Sequence, residues 1–222
     1  GFVSRGLGDV YKRQLMWLAA FSILAASVIA MTKDNLKARL AYSTISQLSY
    51  ITLGVALASS MGILGGGLHV VMHAMGKITL FMCAGSIYVA THRTEISQMT
   101  GLGRRMPITF IAFLIGALSI IGLPPLGGSW SKWLLMVGAV DAEHLFILGV
   151  LLVSSLLNVA YLLPLVAKGF FLSNDTDSEL AQSAEASPMV WGPPAATAFG
   201  CVMLFFYAGH IQDFLMPIVA TN

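Results

Sequence analysis

The fold class is decided by one apolar stretch, Gly62 to Ala90, which reads GILGGGLHVVMHAMGKITLFMCAGSIYVA. It is longer than the ~20 residues that an α-helix needs to cross the hydrocarbon core of a bilayer. Within it, His69, His73 and Lys77 follow one another at intervals of four. Positions four apart lie on one face of a helix, about 6 Å apart along its axis. The stretch therefore predicts a transmembrane helix that carries a row of ionisable side chains.

This row needs a physical reason, because a lysine at mid-membrane costs about 2.5–3.5 kcal/mol even on the mildest scale. Imidazole titrates near neutral pH, and a buried lysine can exchange its proton at an accessible pH. The functional interpretation is a proton relay, and the alternative is a set of buried residues satisfied by hydrogen bonds. A metal site is disfavoured, because the Glu of an H-E-x-x-H motif is absent and Lys77 would repel a cation. We expect neither a metal nor a cofactor.

The composition of the whole chain indicates a membrane protein. Of its 222 residues, 57% are hydrophobic and 10% are charged, whereas soluble domains carry about 25% charged residues. The sequence contains no Gly-rich phosphate loop, no Ser-His-Asp arrangement and no basic patch for nucleic acid. Cys83 and Cys201 lie inside apolar runs and predict neither a disulfide nor a metal site. The lipid bilayer is the first expected partner, and nucleic acid is not expected.

The apolar segments predict an all-α, polytopic transmembrane bundle of about six spans, one of them broken in mid-membrane. The break is GLPPLGG, Gly122 to Gly128, in which Pro124, Pro125, Gly127 and Gly128 cannot continue a helix. A re-entrant pair of short helices is the alternative to one broken span. The predicted segments are Leu15–Met31, Leu40–Ala58, Gly62–Ala90, Met106–Val140, His144–Phe171 and Met189–Val219.

The distribution of charge favours the single broken span. With that count, the Lys and Arg residues between spans fall on one side, and Asp141 and Glu143 fall on the other. The positive-inside bias then places the basic side in the cytoplasm. Residues 172–188 become a cytoplasmic acidic loop, and residues 189–222 become a terminal transmembrane helix. The basic residues are Lys33, Lys37, Arg39, Arg93, Arg104, Arg105 and Lys168.

The first 14 residues, GFVSRGLGDVYKRQ, conflict with this topology. They carry Arg5, Lys12 and Arg13 on the non-cytoplasmic side, and they lack the apolar core of a signal peptide. The string resembles translated adapter sequence. We therefore expect residues 1–14 to be a non-native leader and the native chain to start at about Leu15.

Lys132 is the second candidate for chemistry, because it follows the break by four residues. A broken helix frees backbone groups that can hold an ion or ordered water beside a charge. The alternative is an interfacial lysine that extends toward water between Trp130 and Trp133. The functional interpretation adds Lys132 to the proton relay.

Polar stripes on two other segments are candidates for lining or supporting a channel. For the stripe on the second segment, hydrogen bonding between helices and the binding of channel water are equally good interpretations. The stripe on the fifth segment is a weaker indication of the same roles. Lys37, at the start of the second segment, is interpreted as a topology determinant, with proton entry as the alternative. The stripes are Ser43, Ser46, Gln47 and Tyr50 on the second segment, and Ser154, Ser155, Asn158 and Tyr161 on the fifth.

Three motifs carry a resemblance to a known family: NLKARLAYSTISQLSY (Asn35–Tyr50), HVVMHAMGKITLFMCAGS (His69–Ser86) and GLPPLGGSWSKW (Gly122–Trp133). Together they resemble the antiporter-like membrane subunits, which include Mrp-type cation/proton antiporter subunits and the proton-pumping subunits of respiratory complex I. The resemblance implies two inverted helix repeats, each with one discontinuous helix. Residues 15–171 are similar to the second repeat. The sequence W-S-K-W after the break looks most like the D-type component of the Mrp-type antiporter.

The resemblance implies a proton-relaying role for His69, His73, Lys77 and Lys132. The expected function is the C-terminal fragment of a proton-conducting subunit of a multisubunit Na⁺/H⁺ antiporter, in a bacterial inner membrane. Its expected partners are other subunits, protons and Na⁺, and it is a transporter subunit rather than a stand-alone enzyme. A complex I-type or membrane hydrogenase pump subunit is one alternative. A non-conducting membrane scaffold is the other.

Overall fold

The described part of the chain is almost entirely helical. The computed structural model describes residues 2–172 and 185–220, with the side chains of residues 2–9, 218 and 220 left aside. Between these bounds it contains one short 3-10 helix, Ile96–Gln98, and one isolated bridge between Asn35 and Glu95. The predicted all-α class is confirmed. The helices are α1 (Phe2–Thr32), α2 (Leu36–Ala56), α3 (Ser60–Thr91), α4 (Leu102–Arg105), α5 (Pro107–Ile121), α6 (Gly128–Asp141), α7 (Leu145–Phe171) and α8 (Pro188–Ala220).

Four helices are long and apolar enough to cross a membrane. They are Val10–Thr32 of α1, the whole of α3 and α7, and Pro188–Pro217 of α8. The 21-residue α2 is more polar and packs against both α1 and α3. The shorter α5 and α6, of 15 and 14 residues, are the two halves of the predicted broken element. Together these helices form the predicted membrane helix bundle.

The predicted start of the first helix is wrong. Helix α1 begins at Phe2 rather than at about Leu15, because the apolar run marks only the part of a helix that is soluble in lipid, and the helical backbone continues into the polar segment before it. Whether residues 1–14 are a non-native leader stays a prediction. Most of the predicted acidic loop, residues 172–188, lies outside the described residues.

Helices α2 and α3 are antiparallel neighbours joined by a short connection. Asn35 Oδ1 accepts a hydrogen bond from Ala38 N at 3.0 Å, and Ser59 Oγ accepts one from Gly62 N at 3.1 Å. These side chains cap backbone donors that a helix start leaves without partners. Only residues 57–59 separate the two helices. The polar stripe of α2 therefore lies against the ionisable row of α3.

The two halves of the broken element follow each other along α3 in one direction. Gly76 of α3 lies against Ile120, near the end of α5, whereas Gly65 lies against Leu135 in the middle of α6. Thus α5 packs against the C-terminal half of α3, and α6, which follows it in the chain, packs against the N-terminal half. The two short helices of a re-entrant pair would instead both pack against the same half of α3. The geometry supports one broken span.

The loops gather at two opposite ends of the bundle. At one end, Leu36 N donates to Thr94 O at 2.9 Å and Gly101 N donates to Lys168 O at 3.1 Å. These bonds bring together the start of α2, the end of α3, α4 and the end of α7. At the other end, Ser59 Oγ donates to Gly138 O at 3.0 Å. This division agrees with the predicted separation of basic loops from the acidic 141–143 turn.

Candidate functional site

Lys77 of α3 is held by two acceptors on α2. Its Nζ donates to the Leu40 carbonyl oxygen at 3.2 Å and to Ser43 Oγ at 2.6 Å. The side chain is only 5% exposed. The lysine therefore lies inside the bundle, and its position is fixed by a carbonyl and a serine hydroxyl rather than by a carboxylate.

The Ser43 hydroxyl belongs to a chain of hydrogen bonds with one direction. Tyr161 OH donates to Asn158 Oδ1 at 2.6 Å. Because a hydroxyl has one hydrogen, the 2.7 Å contact between Ser43 and Tyr161 has Ser43 as the donor. Gln47 Nε2 also donates to Asn158 Oδ1, at 3.4 Å. Ser43 thus donates to Tyr161, and Tyr161 donates to Asn158. Because the Ser43 hydrogen is used in this way, its oxygen is free to accept from Lys77.

Lys132 of α6 is held in the same way. Its Nζ donates to the Ile121 carbonyl oxygen at 3.1 Å and to Ser155 Oγ at 3.3 Å, and it lies 5.1 Å from the centroid of the Tyr50 ring. Ile121 ends α5, and the last carbonyls of a helix have no partner within it. The break therefore supplies the carbonyl that binds Lys132. At 4% exposure, this lysine is buried and not an interfacial residue.

The two histidines lie in one stack with Tyr50. The ring centroids of His69 and His73 are 5.8 Å apart, and those of Tyr50 and His69 are 5.4 Å apart. Ser131 Oγ donates to the Gly128 carbonyl oxygen at 3.1 Å, so it accepts from His69 Nδ1 at 2.9 Å. In the neutral ring, the hydrogen is then on Nδ1 and Nε2 carries the lone pair. His69 is oriented to take up a proton on Nε2.

Several polar atoms around these side chains have no hydrogen-bond partner among the described residues. A buried polar group without a partner costs about 1–3 kcal/mol, and proteins usually satisfy such groups with ordered water. Their grouping around the lysines and histidines identifies the polar interior of the bundle. The atoms are Gln47 Oε1, Tyr50 OH, His69 Nε2, His73 Nε2, Ser119 Oγ and Asn158 Nδ2.

Two predicted supporting residues lie apart from this cluster. Ser46 Oγ contacts Ser27 Oγ at 2.9 Å and the Ile23 carbonyl at 3.1 Å, so it joins α2 to α1. Lys37 is exposed, and its Nζ lies 5.2 Å from the centroid of the Tyr88 ring. The structure brings neither residue to the lysines.

The prolines and the glycines of the predicted break differ in their exposure to solvent. Pro124 and Pro125 are exposed, whereas Gly127 and Gly128 are buried. Gly127 N donates to the Cys201 carbonyl oxygen of α8 at 3.1 Å. A Cβ at Gly128 would collide with a backbone carbonyl of α5. The glycines therefore allow close packing of the break inside the protein.

Sequence reasoning missed Ser131 and gave Ser155 and Tyr161 only a weak signal. Ser131 directly precedes Lys132 in the quoted motif, but nothing in the sequence shows that it contacts His69, 62 positions earlier. The pairing of Ser43 with Tyr161 spans 118 positions. These pairs depend on how the helices cross.

Residues 3–158 match the family described as NADH:quinone oxidoreductase/Mrp antiporter, transmembrane. The chain belongs to this family. The resemblance expected from the three sequence motifs is thereby confirmed.

Two curated relatives illustrate the match. The chain is 38% identical over 171 residues to NADH-quinone oxidoreductase subunit N of Desulforudis audaxviator, covering 76% of this chain and 34% of that protein. It is 31% identical over 206 residues to NADH-quinone oxidoreductase subunit L of Rickettsia bellii, covering 92% of this chain and 31% of that protein. The chain thus spans about a third of the length of these relatives.

Two solved structures share the fold. A chain of the Mrp complex from Dietzia sp. DQ12-45-1b superposes with a TM-score of 0.86 at 21% identity, covering 96% of this chain and 47% of that one. A chain of respiratory complex I from Thermus thermophilus with bound NADH gives 0.82 at 25% identity, covering 94% and 43%. The first likeness concerns the fold alone, because its sequence identity is low.

Proposed function

We propose that this chain is the C-terminal part of a membrane subunit that relays protons between Lys77, His73, His69 and Lys132. The observation that carries the proposal is the pair of buried lysines, each held by one carbonyl and one serine hydroxyl. Ionisable residues at membrane depth usually mark ion or proton pathways. Membership of the family supports the same function.

The two acceptors at each lysine suit a residue that changes its charge. A neutral amine has two N–H groups and an ammonium has three. At Lys77, the Leu40 and Ser43 oxygens can keep both bonds in either state. The third position of Nζ is then the one that gains or loses the proton. The lysine can exchange a proton without losing its place in the bundle.

The histidines supply the proton acceptors between the lysines. His69 Nε2 carries a lone pair in the neutral ring and has no partner among the described residues. His73 lies four residues before Lys77 on α3, and its Nε2 likewise has no partner among the described residues. Ordered water beside the unpartnered polar atoms would connect the rings, since a proton moves between groups through hydrogen-bonded contacts. The route then runs along α3 from Lys77 to the break.

Two assemblies are proposed for the whole subunit. The names of the curated relatives favour a complex I-type NADH:quinone oxidoreductase. The resemblance of W-S-K-W, Trp130–Trp133, to the D-type component favours a multisubunit Na⁺/H⁺ antiporter. In either case, partner subunits in a bacterial inner membrane would provide the coupling. Purification of the full-length subunit with its natural partners separates the two: quinone-reducing and iron–sulfur subunits support the first, and small antiporter subunits with Na⁺-dependent proton exchange support the second.

Lysine replacement tests the relay against a non-conducting scaffold. In proteoliposomes of the full complex, Lys77→Met and Lys132→Met each abolish proton flux if the relay is correct, while assembly is retained. Arg105→Met is the matched control, because that basic residue is exposed and belongs to no part of the proposed relay. A scaffold tolerates the buried replacements or becomes more stable, since they remove the cost of burying an ionisable group. Wild-type flux in both variants would refute the relay.

A further inference from the structure

A cavity of about 630 Å³ lies beside the break, between α5, α6, α7 and α8. This size falls within the range of small-molecule sites, about 300–1,000 Å³. Its walls are mostly apolar, with Trp130 and Trp133 on α6 and Leu152 and Leu156 on α7. All four side chains are more than a third exposed. The cavity therefore opens on the apolar surface of the bundle and accepts a hydrocarbon chain.

The polar part of the cavity is formed by Lys132 and its two acceptors. Ile121 and Ser155 line the cavity together with Lys132. The lysine uses two of its three N–H groups on these acceptors, and no carboxylate within residues 2–172 and 185–220 pairs with it. The Ser155 oxygen accepts from Lys132, so its own hydrogen is available for donation. Lys132 and Ser155 thus add one cationic and one hydroxyl side chain to the lining of a mostly apolar cavity.

We propose that this cavity binds a free fatty acid, with its carboxylate on Lys132 Nζ and Ser155 Oγ and its chain between α6 and α7. Charge complementarity selects this occupant. A lipid tail alone would fill the apolar walls but leave the third N–H of Lys132 with only the Tyr50 ring nearby, whereas a carboxylate forms a charge-assisted hydrogen bond with it. Bound carboxylate would also occupy the position through which Lys132 exchanges its proton. Only this last consequence rests on the proposed function.

The test is photolabelling of the full-length subunit, in its complex, in phosphatidylcholine nanodiscs. A diazirine analogue of palmitate is expected to label α6 and α7 residues around the cavity. Excess palmitate is expected to reduce the labelling at least tenfold, and hexadecanol at equal concentration is not. Leu156→Trp, which fills the cavity, is expected to reduce it at least tenfold. Leu145→Trp, an exposed residue at the start of α7 outside the cavity lining, is the matched control.

Three results would overturn the proposal. Equal competition by hexadecanol would show a groove for annular lipid without carboxylate selection. Labelling that Leu156→Trp leaves unchanged would place the site elsewhere, as would equal labelling of Lys132→Gln and wild type. Labelling requires no proton gradient, so its outcome is separate from that of the flux experiment. A labelled cavity together with wild-type flux in both Lys77→Met and Lys132→Met would refute the relay alone.

Discussion

Replacement of Gly128 by alanine tests whether the break holds Lys132 in place. A Cβ at this position would collide with the carbonyl oxygen of Ser119 on α5. The obstacle is backbone and cannot rotate aside, so the two halves of the span must separate. Overpacking costs about 1–3 kcal/mol, and a collision with backbone places the expected cost near 3 kcal/mol. The Tm shift per kcal/mol falls as chain length rises. Because the relatives of this chain are about three times as long, we expect a loss of roughly 2–4 °C in the full-length subunit.

The assay is thermal unfolding of the full-length subunit in its complex, followed with a thiol-reactive dye. Cys83 and Cys201 are buried and free, so they react when the bundle opens. Proton flux is measured on the same preparation. It is expected to fall as well, because Lys132 lies one turn beyond Gly128 on α6.

The matched control is Gly149→Ala on α7. No described atom lies within 4 Å of a Cβ added there, and alanine is the better helix former by about 1 kcal/mol. We expect wild-type flux and an unchanged or higher Tm for this variant. An unchanged Tm and flux in Gly128→Ala, or an equal loss in Gly149→Ala, would refute the reasoning.

Three further predictions concern single side chains. Ser43→Ala removes the 2.6 Å hydrogen bond to Lys77. Because a bond to a charged group contributes about 1.5–3 kcal/mol, proton flux in proteoliposomes is expected to fall about tenfold. The control Ser49→Ala, on the exposed face of α2, is expected to keep wild-type flux. His69→Phe preserves ring stacking but loses the hydrogen bond to Ser131. We expect normal assembly of the complex and a proton flux below about a tenth of wild type. Wild-type flux would exclude His69 from the relay. Glu185→Gln removes the carboxylate charge that accepts from Ile108 N, at the start of α5, and from Thr109 Oγ1. The free energy of unfolding at low salt is expected to fall by about 0.3–1 kcal/mol, and a value equal to wild type would contradict this.

The row of His69, His73 and Lys77 was predictable because one helix fixes their common face. Regular spacing within a helix gives the direction of a side chain relative to its neighbours. The burial of Lys132 was also predictable, since proline and glycine fix where the span breaks. The first prediction depends on local sequence only, whereas the second also depends on the distribution of charge over the chain, which favours a single broken span.

The partners of these residues were not predictable, because they depend on how each helix is rotated and how closely it packs. Ser46 shares the predicted stripe with Ser43, but the stripe is wide enough for Ser46 to face α1 while Ser43 faces α3. Lys37 lies six residues before Ser43, nearly two helical turns, and is exposed. Gly54 packs against the backbone of Gly62, which sets the close approach of α2 and α3. No single-sequence pattern contains this contact.

The most direct test of the account is to observe the charge state of Lys77 itself. In the full-length complex with ¹⁵N-labelled lysine, the Nζ signal is assigned by its loss in Lys77→Arg and followed across the pH range in which the complex transports protons. The account predicts that this signal passes between the ammonium and amine states within that range. A signal that stays in one state throughout it would contradict a relay through Lys77.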